Sequence, residues 1–145
     1  MAVVPIIIVP NEKLNTTCEE IKDFDEKTEK LAQNLLDTVR EAKHPIGAGL
    51  AAPQIGVLNR MCIVRKFPDN YNEEDNSNVL DYVLVNPVVK RISKQKKLGW
   101  EGCLSIPDVY AKVERAEKIT IEAYDQYGKK FSLNASDFFA RVIQH

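Results

Sequence analysis

A cysteine flanked by small and polar residues is the first feature that could do chemistry. It lies in the stretch 100–107, which reads WEGCLSIP, with Cys103 two positions after the carboxylate of Glu101. A cysteine thiolate is a nucleophile and a metal ligand, whereas a buried thiol packs as a small apolar side chain. From this stretch alone, packing is the simpler interpretation.

A loop of small residues is the second such feature. The stretch 47–56 reads GAGLAAPQIG. Glycine allows backbone conformations and close approaches that other residues forbid, so this loop could accept a ligand against its main chain. It lacks the Lys-Ser/Thr pair of a phosphate-binding loop. A tight connection from a helix to a strand explains the same composition, and spacing alone favours that interpretation.

The residues before this loop predict an amphipathic helix. Over 25–43, apolar side chains recur at helical spacing, with acidic residues early and Arg40 and Lys43 late, as the helix dipole favours. The apolar positions are Leu31, Leu35, Leu36, Val39 and Ala42.

Short β-like runs dominate the rest of the chain. The tetrapeptide DQYG at 125–128 predicts a hairpin between the last two runs, and the polar stretch 69–78 predicts a solvated loop. The pattern therefore indicates a mixed α and β domain in which strands outnumber helices. The predicted strands are 60–64, 82–86, 88–92, 112–115, 119–124 and 130–133.

The final segment predicts a second helix that carries a histidine. Ser136 is a candidate N-cap, and Phe138, Val142 and His145 follow at i, i+4 and i+7, which places them on one helix face. The histidine therefore points where the apolar residues point. No capping residue follows it to satisfy the last carbonyls of the helix.

Composition excludes several classes of protein. Hydrophobic residues make up 44% of the chain, and 20 basic side chains balance 21 acidic ones, which favours a globular domain over a nucleic-acid binder. The apolar run 3–9 is too short to span a membrane. Cys18, Cys62 and Cys103 fit neither a disulfide framework nor a four-cysteine zinc site. We expect one domain, 1–145, in the cytoplasm.

Three segments together resemble the signature motifs of the peptide deformylases. Residues 47–54, GAGLAAPQ, and 101–105, EGCLS, match the first two motifs residue for residue, and Gln144 with His145 matches the start of the third. The resemblance implies an α+β fold in which antiparallel strands pack around a central metal-bearing helix. It also implies a hydrolase that removes the N-formyl group from formylmethionine at the start of nascent polypeptides.

The resemblance implies a metal centre. It assigns Cys103 and His145 as ligands of a divalent ion, with Fe²⁺ as the usual ion and Ni²⁺, Co²⁺ or Zn²⁺ as substitutes. A formamide resists water at neutral pH, so the reaction needs a strong nucleophile and donors for the developing oxyanion. By the same resemblance, the Gln54 side chain and the Leu104 backbone N–H are those donors.

Substrate contacts follow from the resemblance as well. Its substrates are N-formylmethionyl peptides, the ribosome is a candidate partner, and neither nucleic-acid specificity nor a membrane is implied. Glu101 and Arg115 resemble a family pair that braces the cysteine loop. The residues assigned to the extended peptide and to the methionine pocket are Gly47, Ala48, Gly49, Phe138 and Val142, and a place in the core would explain Ala48, Phe138 and Val142 equally well.

The third motif departs from the family pattern. That pattern continues after the histidine with a glutamate and a second histidine, and His145 is the last residue here. We therefore expect a chain truncated within the metal-binding helix, with weak metal binding and little activity. Two alternatives stay open: a catalytically incomplete, deformylase-like peptide-binding protein, and a free reactive thiol at Cys103.

Overall fold

The computed structural model describes residues 2–145, and its longest helix, α1, spans Glu26–Glu41. Asp25 caps the helix, because its side chain accepts hydrogen bonds from the backbone N–H groups of Lys27 and Thr28. The helix buries the face that carries Ala32, Leu35 and Val39. The sequence prediction of a helix over 25–43 is confirmed, with its end at Glu41.

Five antiparallel strands form the main sheet in the order β1-β2-β3-β6-β7. The last two form the predicted hairpin, in which the Asp125 side chain accepts hydrogen bonds from the Tyr127 and Lys129 backbone N–H groups. β1 lies at one edge of the sheet. The strands are β1 (Gly49–Ala51), β2 (Met61–Lys66), β3 (Leu80–Ile92), β6 (Lys118–Tyr124) and β7 (Lys130–Ser136).

The predicted strands 82–86 and 88–92 are one continuous strand, β3, and not two. The pairing of β3 with β6 shifts register between Val85 and Val88, so the pattern of alternation breaks there without ending the strand. Asn86 has a φ of 51° at this irregularity. Its side chain accepts from the Ile21 N–H and donates to the Ile21 carbonyl, which stabilises the irregularity.

A separate two-stranded hairpin consists of β4 (Lys96–Cys103) and β5 (Ile106–Ala116). Sequence reasoning missed β4 and found only the end of β5. Most side chains of both strands are exposed, so the alternation of apolar and polar residues that marks a half-buried strand is absent. β1 was missed as well, because its three residues lie within the small-residue loop.

The core lies on both faces of the main sheet. On one face, Leu35 and Val39 of α1 pack with Ile63 and Val85. On the other face, Leu84 belongs to a second cluster with residues of α2 (Asp137–Gln144), including Phe139 and Ala140. The second helix thus packs between the sheet and the hairpin, and the α+β prediction is confirmed.

Residues 69–78 connect β2 to β3 as the predicted exposed loop. Within residues 2–145, no helix is long and apolar enough to cross a membrane.

Candidate active site

A cavity of about 330 Å³ opens where the small-residue loop, the β4–β5 hairpin and α2 meet. Its wall is largely apolar and includes the aromatic side chains Trp100 and Tyr110, which sequence reasoning did not single out. The structure thereby brings together segments that lie far apart in the chain. The predicted site residues in the wall are Ala48, Gly49, Gln54, Cys103, Leu104, Phe138, Val142 and His145.

Gly47 was predicted to contact substrate, but the structure places it outside the cavity wall, against α1. A Cβ atom at this position would lie 2.3 Å from the Val39 carbonyl oxygen, so the loop approaches the helix more closely than any other residue allows. The Gly47 carbonyl accepts a hydrogen bond of 3.1 Å from the Arg65 guanidinium. Gly47 therefore fixes the position of the loop from behind.

Gln54 lies in a short 3₁₀ turn, Ala52–Ile55, directly after β1. Its side-chain oxygen accepts from the Ala51 N–H at 2.9 Å, and its amide nitrogen donates to the Ser105 hydroxyl at 3.1 Å. The same nitrogen lies 3.9 Å from the Cys103 sulfur. The carboxamide is thus held in one orientation, with its N–H groups directed toward the cysteine loop.

The segment that contains Ile7 and Val9 joins the two loops that carry the site. The Ile7 N–H donates to the Gln54 carbonyl at 2.7 Å, and the Val9 N–H donates to the Ser105 carbonyl at 2.9 Å. This extended segment therefore holds the glutamine turn and the cysteine loop side by side. No motif marked it in the sequence.

His145 brings its ring to both Cys103 and Glu101. Its Nδ1 lies 2.7 Å from the Glu101 Oε1, and the imidazole also shares a hydrogen bond with the cysteine sulfur. The bond to Cys103 raises the pKa of His145 to about 9, and the bond from His145 lowers the pKa of the Cys103 thiol. The pair therefore favours a thiolate beside an imidazolium.

Glu101 carries the charge that balances this cluster. Arg115 donates two hydrogen bonds of 2.8 Å to its carboxylate, which confirms the expected brace of the cysteine loop. These bonds are the main reason that the pKa of Glu101 falls to about 2. Arg141 of α2 donates a third hydrogen bond, of 2.9 Å, and sequence reasoning missed this residue although it lies one helical turn before His145.

The donor atoms match a divalent transition metal in type. A thiolate and an imidazole suit such ions, and a metal-bound histidine usually has its other ring nitrogen bonded to a carboxylate, as Nδ1 of His145 is bonded to Glu101. Cys103 and His145 supply two donors. Among residues 2–145, no group of three His, Cys, Asp or Glu side chains is arranged to hold one ion.

Comparison with known proteins places this chain in one family. The sequence model of the family described as Polypeptide deformylase matches residues 3–145. A peptide deformylase of Thermomicrobium roseum is 42% identical over all 145 residues, which cover 79% of that protein. Peptide deformylase 1 of Bacillus subtilis is 40% identical over the same length, which covers 82% of it.

Solved structures agree with the sequence relatives. A peptide deformylase from Legionella pneumophila superposes with a TM-score of 0.85 at 34% identity, over 99% of this chain and 78% of that one. A peptide deformylase from Ehrlichia chaffeensis in complex with actinonin superposes with a TM-score of 0.89 at 30% identity, over 100% and 81%. With its first two motifs gathered around one cavity, this chain belongs to the polypeptide deformylase family.

Proposed function

We propose that this chain is a metal-dependent hydrolase that removes the formyl group from formylmethionine at the N-terminus of nascent polypeptides. The observation that carries the proposal is the meeting of the Gln54 amide, the Cys103 sulfur and the His145 imidazole at one apolar cavity. Family membership supports the hydrolase class, and the chemistry of these three groups supports the reaction.

An extended peptide would bind along β1. Within residues 2–145 this strand pairs only with β2, so its other edge offers backbone N–H and C=O groups to a further strand. Gly49 of β1 lies in the cavity wall, close to where such a strand would run. Backbone pairing suits substrates that share a first residue and differ afterwards.

The methionine side chain would enter the apolar part of the cavity. Ala48, Phe138 and Val142 contribute to that wall. Phe138 is 54% exposed, which supports a position at the mouth of the cavity rather than in the core. Phe139, the next residue, is buried in the second core cluster. Of these two neighbouring aromatic side chains, one therefore lines the cavity and the other belongs to the core.

Cys103 and His145 would hold the ion, with Fe²⁺ as the proposed metal and Ni²⁺, Co²⁺ or Zn²⁺ as substitutes. A bound ion of this kind supplies a nucleophilic hydroxide at neutral pH and polarises a carbonyl oxygen. Glu101 orients the imidazole through Nδ1 and leaves the other ring nitrogen for the ligand role.

Gln54 and Leu104 would stabilise the oxyanion that forms from the formyl oxygen. The side-chain oxygen of Gln54 accepts a hydrogen bond from the Ala51 N–H, so the side-chain nitrogen already faces the cysteine loop. Leu104 lies in the turn between β4 and β5, beside the thiol. A fixed donor of this kind contributes about 3 kcal/mol to the transition state.

The proposed setting is the cytoplasm, where nascent chains leave the ribosome. Cys18, Cys62 and Cys103 are all free thiols, and a thiolate on ferrous iron is prone to oxidation, so a reducing compartment suits this site. The alternative of a peptide-binding protein without turnover gains no support, since the relatives described above are named as deformylases.

Formate release from a formyl-Met tripeptide tests the proposal. The assay is anaerobic with added Fe²⁺ or Ni²⁺, and it uses both the 145-residue chain and a form continued after His145 with a relative's sequence. Formate release is expected from the continued form, with a decrease of roughly 10²- to 10³-fold when that form carries Gln54→Ala. Little release is expected from the 145-residue chain. Gln33→Ala, in α1 and outside the cavity wall, serves as the matched control.

The assay tests the reaction and the role of Gln54 separately. If neither form releases formate when loaded with metal, the proposed reaction is wrong. If formate is released at an unchanged rate by Gln54→Ala, the reaction stands and the assignment of Gln54 fails.

A further inference from the structure

The side chain of Arg141 extends from α2 to both strands of the β4–β5 hairpin. Its side chain is only 11% exposed. The guanidinium donates to the Lys97 carbonyl at 2.7 Å and to the Val113 carbonyl at 2.8 Å. Lys97 belongs to β4 and Val113 to β5, so a single side chain is bonded to both strands of the hairpin.

The same guanidinium reaches the carboxylate that contacts His145. Its Nη1 donates to Oε2 of Glu101 at 2.9 Å, while Oε1 of that carboxylate contacts Nδ1 of His145 at 2.7 Å. Arg141 lies in α2, and His145 is the residue directly after that helix, four positions further along the chain. Glu101 is therefore contacted at two points, by an arginine of α2 and by the histidine that follows it.

Gly99 provides the surface on which the guanidinium lies. A Cβ atom at Gly99 would be 2.8 Å from the Cζ atom of Arg141, which is closer than real Cβ contacts. The Gly99 carbonyl also lies 3.5 Å from Nη1. Because hydrogen bonds to both strands hold the guanidinium in place, it cannot move aside without losing them.

These contacts span the two elements that carry Cys103 and His145. The hairpin has little apolar contact to fix it, since Leu98 and Trp100 are 58% and 64% exposed. A fixed distance between the sulfur and the imidazole therefore needs polar contacts between hairpin and helix. Arg141 supplies such contacts to both strands and to Glu101.

We propose that Arg141, seated on Gly99, is the positioning residue that sets the geometry of Cys103 relative to His145. The inference rests on the proposed function, in which these two residues hold a metal ion. Lysine cannot replace arginine in this role, because a single ammonium lacks the planar fork that reaches two strands and a carboxylate together.

Cobalt binding by the purified chain tests the role of Arg141. Anaerobic titration with Co²⁺ is followed by the thiolate-to-metal charge-transfer band and the ligand-field absorption. Arg141→Met and Arg141→Lys are both expected to weaken Co²⁺ binding by roughly 10- to 100-fold and to change the ligand-field spectrum at saturation. Arg40→Met is the matched control, since Arg40 pairs with Asp81 away from the hairpin.

Gly99→Ala gives a second test that keeps the arginine. In the presence of Arg141 it is expected to weaken Co²⁺ binding, and in the Arg141→Met background it should add little, because the guanidinium it displaces is gone. Fully additive effects would overturn the proposal, as would a saturated spectrum in Arg141→Lys identical to that of the unmodified chain. A purely stabilising arginine would lower the unfolding midpoint and leave that spectrum unchanged.

A metal-independent measurement separates this inference from the proposed function. Hydrogen exchange at the amides of 97–103 and 111–115 is measured in the metal-free protein. Faster exchange in Arg141→Met and in Gly99→Ala, with no further increase in the double variant, supports positioning even if the unmodified chain binds no Co²⁺. In that case the proposed function fails alone. Unchanged exchange in both single variants overturns the positioning role itself.

Discussion

The main sheet and the β4–β5 hairpin are stabilised in different ways. The sheet buries Ile63, Leu84 and Ile121 almost completely between α1 and α2. In the two strands of the hairpin, Ala116 is the one buried residue, and hydrogen bonds from α2 to backbone carbonyls and to Glu101 hold the strands in place. Apolar burial defines the first region, and directed polar contacts define the second.

This difference bears on the site because the proposed metal ligands lie on either side of the boundary. Cys103 belongs to the hairpin, while His145 follows a helix that packs on the sheet. A polar contact has a strict geometry, and an apolar one does not, so the hairpin is placed precisely at a modest gain in stability.

The largest loss of stability is expected when a buried side chain of the sheet is shortened. Leu84 is 1% exposed, so Leu84→Ala should lower the free energy of unfolding by about 2–5 kcal/mol. Leu98 in the hairpin is 58% exposed, so Leu98→Ala should change it by no more than about 0.5 kcal/mol. Urea unfolding measures both variants. Equal losses at the two positions would remove the contrast between the regions.

A smaller loss is expected when a polar contact of the hairpin is removed. The Gln144 side chain accepts from the Ala116 N–H at 3.0 Å and donates to the Ala116 carbonyl at 2.9 Å. Gln144→Ala leaves both groups without this partner in a buried position, which should cost about 1–3 kcal/mol in urea unfolding. Gln95→Ala, an exposed glutamine, is the control. A loss no greater than that of the control would contradict the polar account.

Acid should weaken the hairpin through Glu101. Arg115 is the main cause that lowers the pKa of Glu101 to about 2, from an ordinary value of 4.5. Its stabilising contribution is therefore complete above pH 4.5 and is lost as the pH falls toward about 2. Glu101→Gln cannot titrate, so its melting temperature should fall less steeply over this window. If the melting temperatures of the two proteins fall in parallel with pH, ionisation of Glu101 does not contribute to stability in this way.

The smallest perturbation is chemical labelling of the thiols in the metal-free protein. Burial raises the pKa of Cys62 to about 12, whereas the hydrogen bond from His145 lowers that of Cys103. At neutral pH, iodoacetamide should therefore modify Cys103 first and Cys62 last, because the thiolate is the reactive form. Peptide mass spectrometry over time gives the order. Cys103→Ser should abolish the fast phase, and a fast phase that survives would assign it to another cysteine.

The same contrast explains how much of the structure the sequence could predict. α1 and β6 have buried faces with a clear period, and both were predicted within two residues of their bounds. β4 has no buried face and was missed. The motifs identified Gln54, Cys103 and His145, which all meet at the cavity.

The residues that support the site were harder to predict. Arg141 donates hydrogen bonds to backbone carbonyl groups, and the pattern of side chains in a sequence does not indicate such bonds. Ser105, in a buried turn, accepts a hydrogen bond from Gln54 through its hydroxyl. Ser136 does precede α2 as predicted, but its side chain makes no capping hydrogen bond. Partners of this kind depend on which elements meet in space, and periodicity does not report that.

The N-terminal segment joins the two loops of the site through contacts between residues that are distant in the chain. Its bonds join Ile7 to Gln54 and Val9 to Ser105, and the bond from Arg141 to Val113 also spans many residues. Closing such separations costs chain entropy before any contact compensates it, so contacts of this kind form slowly. The β6–β7 hairpin closes over a short turn and has no such delay. In a refolding experiment, the strands of that hairpin should therefore gain protection before the loops around the cavity do.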